Sequence, residues 1–525
     1  LYLVLFLAVV EWHLETMYFI TLSISFIFAT RLLEKPILTW QTYLSLTTIF
    51  LFFILVSLGK FTFFMWMGGA MIALIFMAAW QHSWRVAVLL GLIHSVLFTV
   101  CWLALGQELV NIPAFVLNSL EIASGYSEAM TILYLPTQLF YAAMVFGTTL
   151  ILMALNFWDR PFKLSTFLIS VVILFTLFLA FKGAFVRQGL HILIFFPTAL
   201  VITFLVGYEA DKPNVIRFIQ RLLRYAVVSF AFYGTLVTGG FGIPYSAENV
   251  LGAWNKRLIN NTHKLFHLSE VKKNYETQWL ALKKQYDLPE IRKVVGQSTV
   301  DIFSWEQTVI FLNNFNWHPR PVFQSYTVYT KKLIEINKHF FLTQPPEFVI
   351  LKLQAIDSQF PLANDADSYK ILLQQYQPVL EEKGYLLLKH SPHPQQDSSD
   401  QQVVLQKNIQ EGEWLEIGQF TQQPLLLTLN IHKSWLGKVW VLLYRLPEIH
   451  LETRTTTGVV LKHRLIPKMA ETGFMYNPLI LTQKDFTDWY AHQPLQQVQA
   501  LRIVIHPTWI QRLFYPEFEA KLTEF

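Results

Sequence analysis

A chain of 525 residues with one cysteine cannot close an internal disulfide, and it cannot build a cysteine-rich metal site. The lone Cys101 lies inside an apolar run, so cysteine usage leaves the redox compartment open. Signature motifs are also missing. There is no GxxxxGK[ST] loop, no GxGxxG after a strand, no HExxH and no GxSxG. An ATPase or a zinc protease is therefore unsupported. No metal ligand set is assigned; a divalent metal stays open and no other cofactor is implied. The first segment lacks a basic n-region and a small-residue cleavage site, so it does not read as a signal peptide. It begins on Leu inside an apolar run and reads as a fragment or a trimmed chain. Charge is scarce, at 15% of residues with a formal net of +5. Part of that excess sits in short loops, which accounts for it without nucleic acid.

What is abundant is apolar surface: 53% of residues are hydrophobic and the mean hydropathy is +0.37. It is concentrated before residue 242. Nine segments there approach or reach the length a helix needs to cross about 30 Å of hydrocarbon. They are 1–12, 16–31, 37–58, 62–80, 86–105, 132–155, 164–181, 189–208 and 224–241. Backbone groups in lipid must be bonded internally, so helices are predicted. The connections split by charge. The basic ones, 31–36, 81–85, 156–163 and 211–224, alternate with the rest. The positive-inside rule puts the basic set in the cytoplasm. The turn at Lys60, the loop 106–131, the turn 182–191 and the polar C-terminal half then share the extracytoplasmic face.

The predicted fold is thus a polytopic α-helical membrane bundle over 1–242, followed by soluble parts. A charged helical connector is expected over 243–297. Two readings of its basic faces are open: a solvated helix pair, or a surface lying on anionic membrane lipids. Residues 298–392 alternate strands and helices, which predicts an α/β domain with a parallel or mixed sheet. A polar, Pro-containing linker follows. Residues 403–525 carry short, regularly spaced β-rich runs, among them PLLLTLNIH, KVWVLLYRL and ALRIVIHP, and predict a β-sandwich.

Three stretches could carry chemistry. The loop GQELVNIPAFVLNSLEIASGYSEAM reads as a short interfacial helix, started by Pro113 and stopped by Gly125. Asn118, Glu121 and Glu128 would face water, and a carboxylate there could act as a general base. The second is AFKGAFVRQGLH. Arg187 and His191 are four residues apart and share a face on a helix, while Lys182 needs a break at Gly183 or Gly189 to join them. Arg suits a phosphate and His can move a proton; snorkelling to the interface is the plainer reading for Lys182. The third, NWHPRPVFQSYTVYT, is stiffened by two X-Pro bonds around Arg320. Trp317, His318, Arg320 and Tyr326 there suit either an acceptor site or a packed aromatic corner.

The layout resembles membrane glycosyltransferases of the GT-C class and O-antigen ligase- or polymerase-like proteins. The resemblance covers about 1–245, is one of architecture, and has Arg187 and His191 in FVRQGLH as its best-matched pair, with Lys182 and Glu128 as weaker ones. It implies an extracytoplasmic site, a polyprenyl-phosphate-linked sugar donor, a glycan acceptor and a bacterial inner-membrane setting with a periplasmic C-terminal part. The acidic motif that GT-C enzymes carry in their first extracytoplasmic loop is not assigned here: either that region precedes Leu1 or the loop 106–130 does another job. The competing class is a non-catalytic envelope protein whose soluble part binds glycan or protein. No paired broken helices or repeats support a transporter.

Overall fold

The computed structural model describes residues 13–525 apart from 133–134, 158–161, 206–212, 239–258, 261, 304, 392–401, 421 and 507. The chain forms two compact units. One comprises Leu1–Ser119 with Ile132–His263; the other comprises Leu120–Thr131 with Lys264–Phe525.

The first unit is helical. Its described elements are α1 (Leu14–Leu33), α2 (Trp40–Gly59), α3 (Phe61–Gln81), α4 (Trp84–Ala104), the first part of α5 (Asn111–Ala129), α6 (Pro136–Phe157), α7 (Leu164–Val186), α8 (Phe195–Leu205) and α9 (Asn214–Thr238). Among the described residues, six helices are long and apolar enough to span a membrane: α1–α4, α6 and α7. The expected span 1–12 lies outside the described residues. The other two expected spans differ from the long apolar type. Residues 189–208 open with a 3-10 turn, Leu190–Ile194, and only then enter the short α8. The stretch 211–224, expected as a loop, is helical from Asn214 and continuous with 224–238. The reason is amphipathy: Arg217, Arg221 and Arg224 recur at helical spacing and give α9 one basic face.

Apolar packing alone gives weak preference between lipid and a neighbouring helix, so buried polar contacts and small residues matter here. Thr176 of α7 accepts from the Trp66 indole of α3 at 2.7 Å and lies 3.4 Å from Ser23 of α1. One hydroxyl thereby ties three helices. Gln220 of α9 donates to Asn156 of α6 at 3.1 Å, both buried.

The second unit begins with α10 (Leu268–Gln285), which buries no residue, and α11 (Pro289–Val295). A mixed five-stranded sheet follows, in the order β2-β1-β3-β5-β4. Its strands are β1 (Thr299–Phe303), β2 (Asn316–Trp317), β3 (Phe348–Leu351), β4 (Tyr376–Glu382) and β5 (Tyr385–His390). Strand β1 runs parallel to β2 and β3, while β3–β5 and β4–β5 are antiparallel. The period of two sorts its side chains. Val300 and Ile302 meet α11 and α12 (Thr308–Leu312), whereas Phe303, Val349 and Leu351 turn to the face of α13 (Lys331–Thr343) and α14 (Ala366–Gln375).

Residues 403–525 form two four-stranded antiparallel sheets, ordered β10-β9-β12-β7 and β11-β8-β13-β6. The strands are β6 (Val403–Gln410), β7 (Leu415–Glu416), β8 (Leu425–Asn430), β9 (Glu448–Thr455), β10 (Val460–Leu465), β11 (Phe474–Asn477), β12 (Val498–His506) and β13 (Glu517–Glu524). Their core is continuous with the α13/α14 face of the mixed sheet, so 298–392 and 403–525 share one interior. The run KVWVLLYRL, expected as a strand, is instead α15 (Trp435–Leu443). Ser434 caps it, accepting from the Gly437 amide at 3.2 Å. Gly437 also lets the helix approach the Leu513 carbonyl, where a Cβ would collide. Two short helices, α16 (Pro467–Ala470) and α17 (Gln483–Tyr490), complete the unit.

The shared core contains one ionic knot. Asp301, facing the α13/α14 side of β1, is fully buried and pairs with Arg320 at 2.7 Å; Asp365 pairs with the same guanidinium at 3.2 Å. Arg320 also donates to the Ile302 carbonyl and the Ser325 hydroxyl and stacks over Phe303. Arg320 was expected to meet an acceptor, but its side chain has no solvent exposure. It serves here as the counter-charge of a buried strand aspartate.

Two carboxylates share this one cation. Burial, outweighing Arg320 and the bonds from Ser368 and Asn337, pushes the Asp365 carboxyl up to about 6. The stability this group contributes is full below its ordinary value of 3.8 and is lost as pH rises through about 6. Asp365→Asn should flatten that stretch of a stability–pH curve. Arg320→Met, which strands two buried acids, should cost about 3–5 kcal/mol in thermal or denaturant unfolding.

Candidate functional site

Helix α5 runs from Asn111 to Ala129, longer than the segment bounded by Pro113 and Gly125. Gly125 does not stop it. Gly125 is buried, and a Cβ there would lie 2.5 Å from the Tyr329 ring. The absent side chain lets Tyr329 lie against the helix, where its hydroxyl donates to the Ile122 carbonyl at 2.7 Å. The last carbonyls of a helix have no partners within it. Arg464 of β10 supplies them, donating to Glu128 O at 3.1 Å and Ala129 O at 2.6 Å. Residues 120–131 are thus built into the second unit.

Glu128 was expected to face water, yet its side chain is only 2% exposed. Lys433 donates to its Oε1. Its Oε2 is buried without a hydrogen-bond partner among the described residues. Seven residues apart, Glu121 and Glu128 lie on one helix face, and both line a cavity of about 740 Å³. The remainder of its wall brings Lys331, Lys332 and Glu335 from α13, Lys433 and Lys438 from the start of α15, and Lys468 and Glu471 around α16. Burial and the nearby Glu128 carboxylate hold Glu471 above its usual range, against His432, Lys433 and Lys468. The arrangement offers a carboxylate oxygen to accept a proton and ammonium groups to meet negative charge.

The bundle carries a separate polar cluster. Lys60, the single residue between α2 and α3, donates to Glu15 of α1 at 2.5 Å. The rings of His13 and His191 lie 6.4 Å apart, and Thr16 donates to the Leu193 carbonyl at 2.9 Å. Arg187 and His191 do not share a helix face. Arg187 already has non-helical angles at the end of α7, and Gly189 breaks the chain at φ +98° before the 3-10 turn. Gly183 makes no break, so Lys182 stays inside α7. Arg187 is half-buried and forms a bridge with Ile132; Gln188 and the Leu135 backbone exchange two hydrogen bonds beside it.

Trp317, His318 and Tyr326 join Arg320 in a packed corner. The Trp317 indole reaches Asp301 at 3.3 Å and its ring packs on Phe311 and Phe323. His318 meets the Gln344 carbonyl at 3.2 Å, and Tyr326 packs on Trp305. None of the four lines the Glu128 cavity. The groups that do, Lys331, Lys332, Lys433, Lys438, Lys468 and Glu471, sit in segments that carry no motif. In the sequence His13 and Glu15 fall between the first two apolar segments, and Lys60 marks the turn between the third and fourth. Among the described residues no cluster of three or more His, Cys, Asp or Glu could hold a metal ion. No protein-family model, curated protein or solved structure matches this chain.

The fit of Tyr329 on Gly125 can be measured. Gly125→Ala should displace the Tyr329 ring, break its bond to Ile122 and destabilise the second unit by about 1–3 kcal/mol. Tyr329→Phe removes only the hydroxyl and should cost about 1 kcal/mol. Protease accessibility of 120–131 in the full-length protein should rise with Gly125→Ala and change little with Tyr329→Phe.

Proposed function

We propose that this protein is a membrane-embedded glycosyltransferase of envelope glycan assembly. It would take a polyprenyl-phosphate-linked sugar and pass it to an extracytoplasmic glycan acceptor. The observation that supports this best is a cavity of about 740 Å³, a size that suits a saccharide, with Glu121 and Glu128 among its lining residues. The membrane half is supported by the six apolar helices. The alternating charge of their connections favours a periplasmic location for the C-terminal half in a bacterial inner membrane.

In the reaction, an acceptor hydroxyl attacks the anomeric carbon. Its proton passes to Glu128, and Lys433 on the other carboxylate oxygen keeps the group oriented. The new C–O bond replaces the bond to the phosphate, which leaves with the electron pair. On the helical unit, Arg187 is proposed to bind the lipid-linked phosphate of the donor, with Lys182 as a second cation and His191 as a proton carrier. Glu121, on the same helix face as Glu128, contacts the acceptor.

One observation favours the non-catalytic alternative. The bonds of Lys433, Arg464 and Tyr329 to residues 122–129 are what a purely structural docking would also need. Sugar transfer in isolated membranes separates the two. Glu128→Gln should lower kcat by about 100-fold with KM little changed. Arg187→Ala should cut kcat/KM for the lipid-linked donor by at least about tenfold. Full transfer in both variants would sink the assignment.

A further inference from the structure

Helix α15 turns its most apolar side away from the core of the second unit. Trp435, Leu436, Val439, Leu442 and Leu443 are each between 41% and 74% exposed. At about 100° per residue they form one stripe roughly 120° wide, with no polar residue inside it. The opposite side is pinned. Ser434 caps the helix and donates to the Arg512 carbonyl at 2.9 Å, while Gly437 packs on the Leu513 carbonyl. The Trp440 indole donates to the Arg445 carbonyl at 2.9 Å. The fold therefore holds the stripe outward. Tyr515 is also exposed and lies beside the start of the helix, its amide donating to the His432 carbonyl. Single exposed apolar residues are ordinary on a protein surface. A contiguous patch on the order of 500 Å² marks an interaction site.

We infer that α15 lies in the membrane interface, with Trp435, Leu436, Val439, Leu442 and Leu443 sunk to the boundary between headgroups and acyl chains. Nine residues are too few to cross the hydrocarbon, so the helix lies in the plane of the membrane. Three observations choose lipid over a protein partner. First, the chain carries six helices apolar enough to span a bilayer, so each copy already sits in lipid. Second, the leash is short. Lys433, at the foot of α15, donates to Glu128, and eight chain steps lead from Glu128 to Pro136, where the spanning helix α6 begins. Those steps reach at most about 29 Å. Third, the patch is smaller than the roughly 800 Å² per partner that a stable protein interface buries. Tryptophan and tyrosine suit the headgroup level. Lys438, exposed at the edge of the stripe, can extend its ammonium to lipid phosphates from there. Lys433 and Lys438 also line the cavity beside Glu128, so this seat sets that cavity at the membrane surface. The inference does not depend on the transferase reading.

The test is spin-label accessibility in the full-length protein, held in nanodiscs of phosphatidylethanolamine and phosphatidylglycerol. In a Cys101→Ser background a nitroxide is attached at Val439→Cys or Leu442→Cys, with Gln493→Cys as a polar control in the same unit. All three positions are exposed, so the labels should leave the fold intact. Oxygen concentrates in lipid and nickel–EDDA stays in water. The ratio of oxygen to nickel–EDDA collisions should be at least about fivefold higher at Val439 and Leu442 than at Gln493. Adding Leu442→Asp should bring the ratio at Val439 down to that of the control. Nickel–EDDA dominating at both positions would place the stripe in water and overturn the inference. Few collisions with either reagent would mean that a protein partner or a second copy covers the stripe, which overturns it equally. So does a ratio at Val439 indifferent to Leu442→Asp. No sugar transfer enters the measurement, so its outcome is separate from the fate of the transferase reading.

Discussion

The second unit is organised around the end of one helix. A helix terminus carries four carbonyls that its own backbone cannot satisfy. In α5 two of them are met by Arg464, a buried side chain from β10. Tyr329 fixes the same helix about two turns earlier, at the Ile122 carbonyl, and Gly125 makes room for it. These contacts bring residues from near position 125 into a fold otherwise built from residues after 264. Glu128 is buried as a result, and burial is what gives its unpartnered oxygen meaning. On the surface that oxygen would be hydrated and without consequence.

The Arg320 knot is a different use of buried charge. Asp301 stands at the centre of a strand whose neighbours are Val300, Ile302 and Phe303. Alternation sends it to the face packed by α13 and α14, where an unpaired carboxylate would be very costly. Arg320 answers it, and Asp365, Ser325 and the Ile302 carbonyl complete the coordination. The stiff Pro-flanked segment around Arg320 therefore serves the core rather than a ligand. In the bundle the same logic works at smaller scale, through Thr176 between Trp66 and Ser23.

Much of the architecture was legible along the chain. Long apolar runs produced α1–α4, α6 and α7 because the span of a helix follows from residue count alone. The strands of residues 403–525 showed their alternation, except where KVWVLLYRL imitated one. There a Ser cap and a glycine at a close approach outweighed β-branched composition. Arg187 and His191 illustrate the opposite error. Their four-residue spacing suggested one helix face, but α7 ends at Val186, Arg187 has non-helical angles, and Gly189 takes a positive φ before the next turn.

The sequence by itself determined the division into an apolar helical part and a polar part with sheets, and it marked Glu121 and Glu128 as carboxylates on one face. Those are local properties, set by composition and by periods of two or 3.6 residues. Only the tertiary structure decided which charges meet. Lys433 lies 305 positions from Glu128, and Arg464 lies 336 positions from it. Such pairings follow from how sheets and helices pack over one core, and packing depends on the whole chain rather than on any window of it. For that reason the lysine wall of the cavity carries no signature in sequence, while the helix beneath it does.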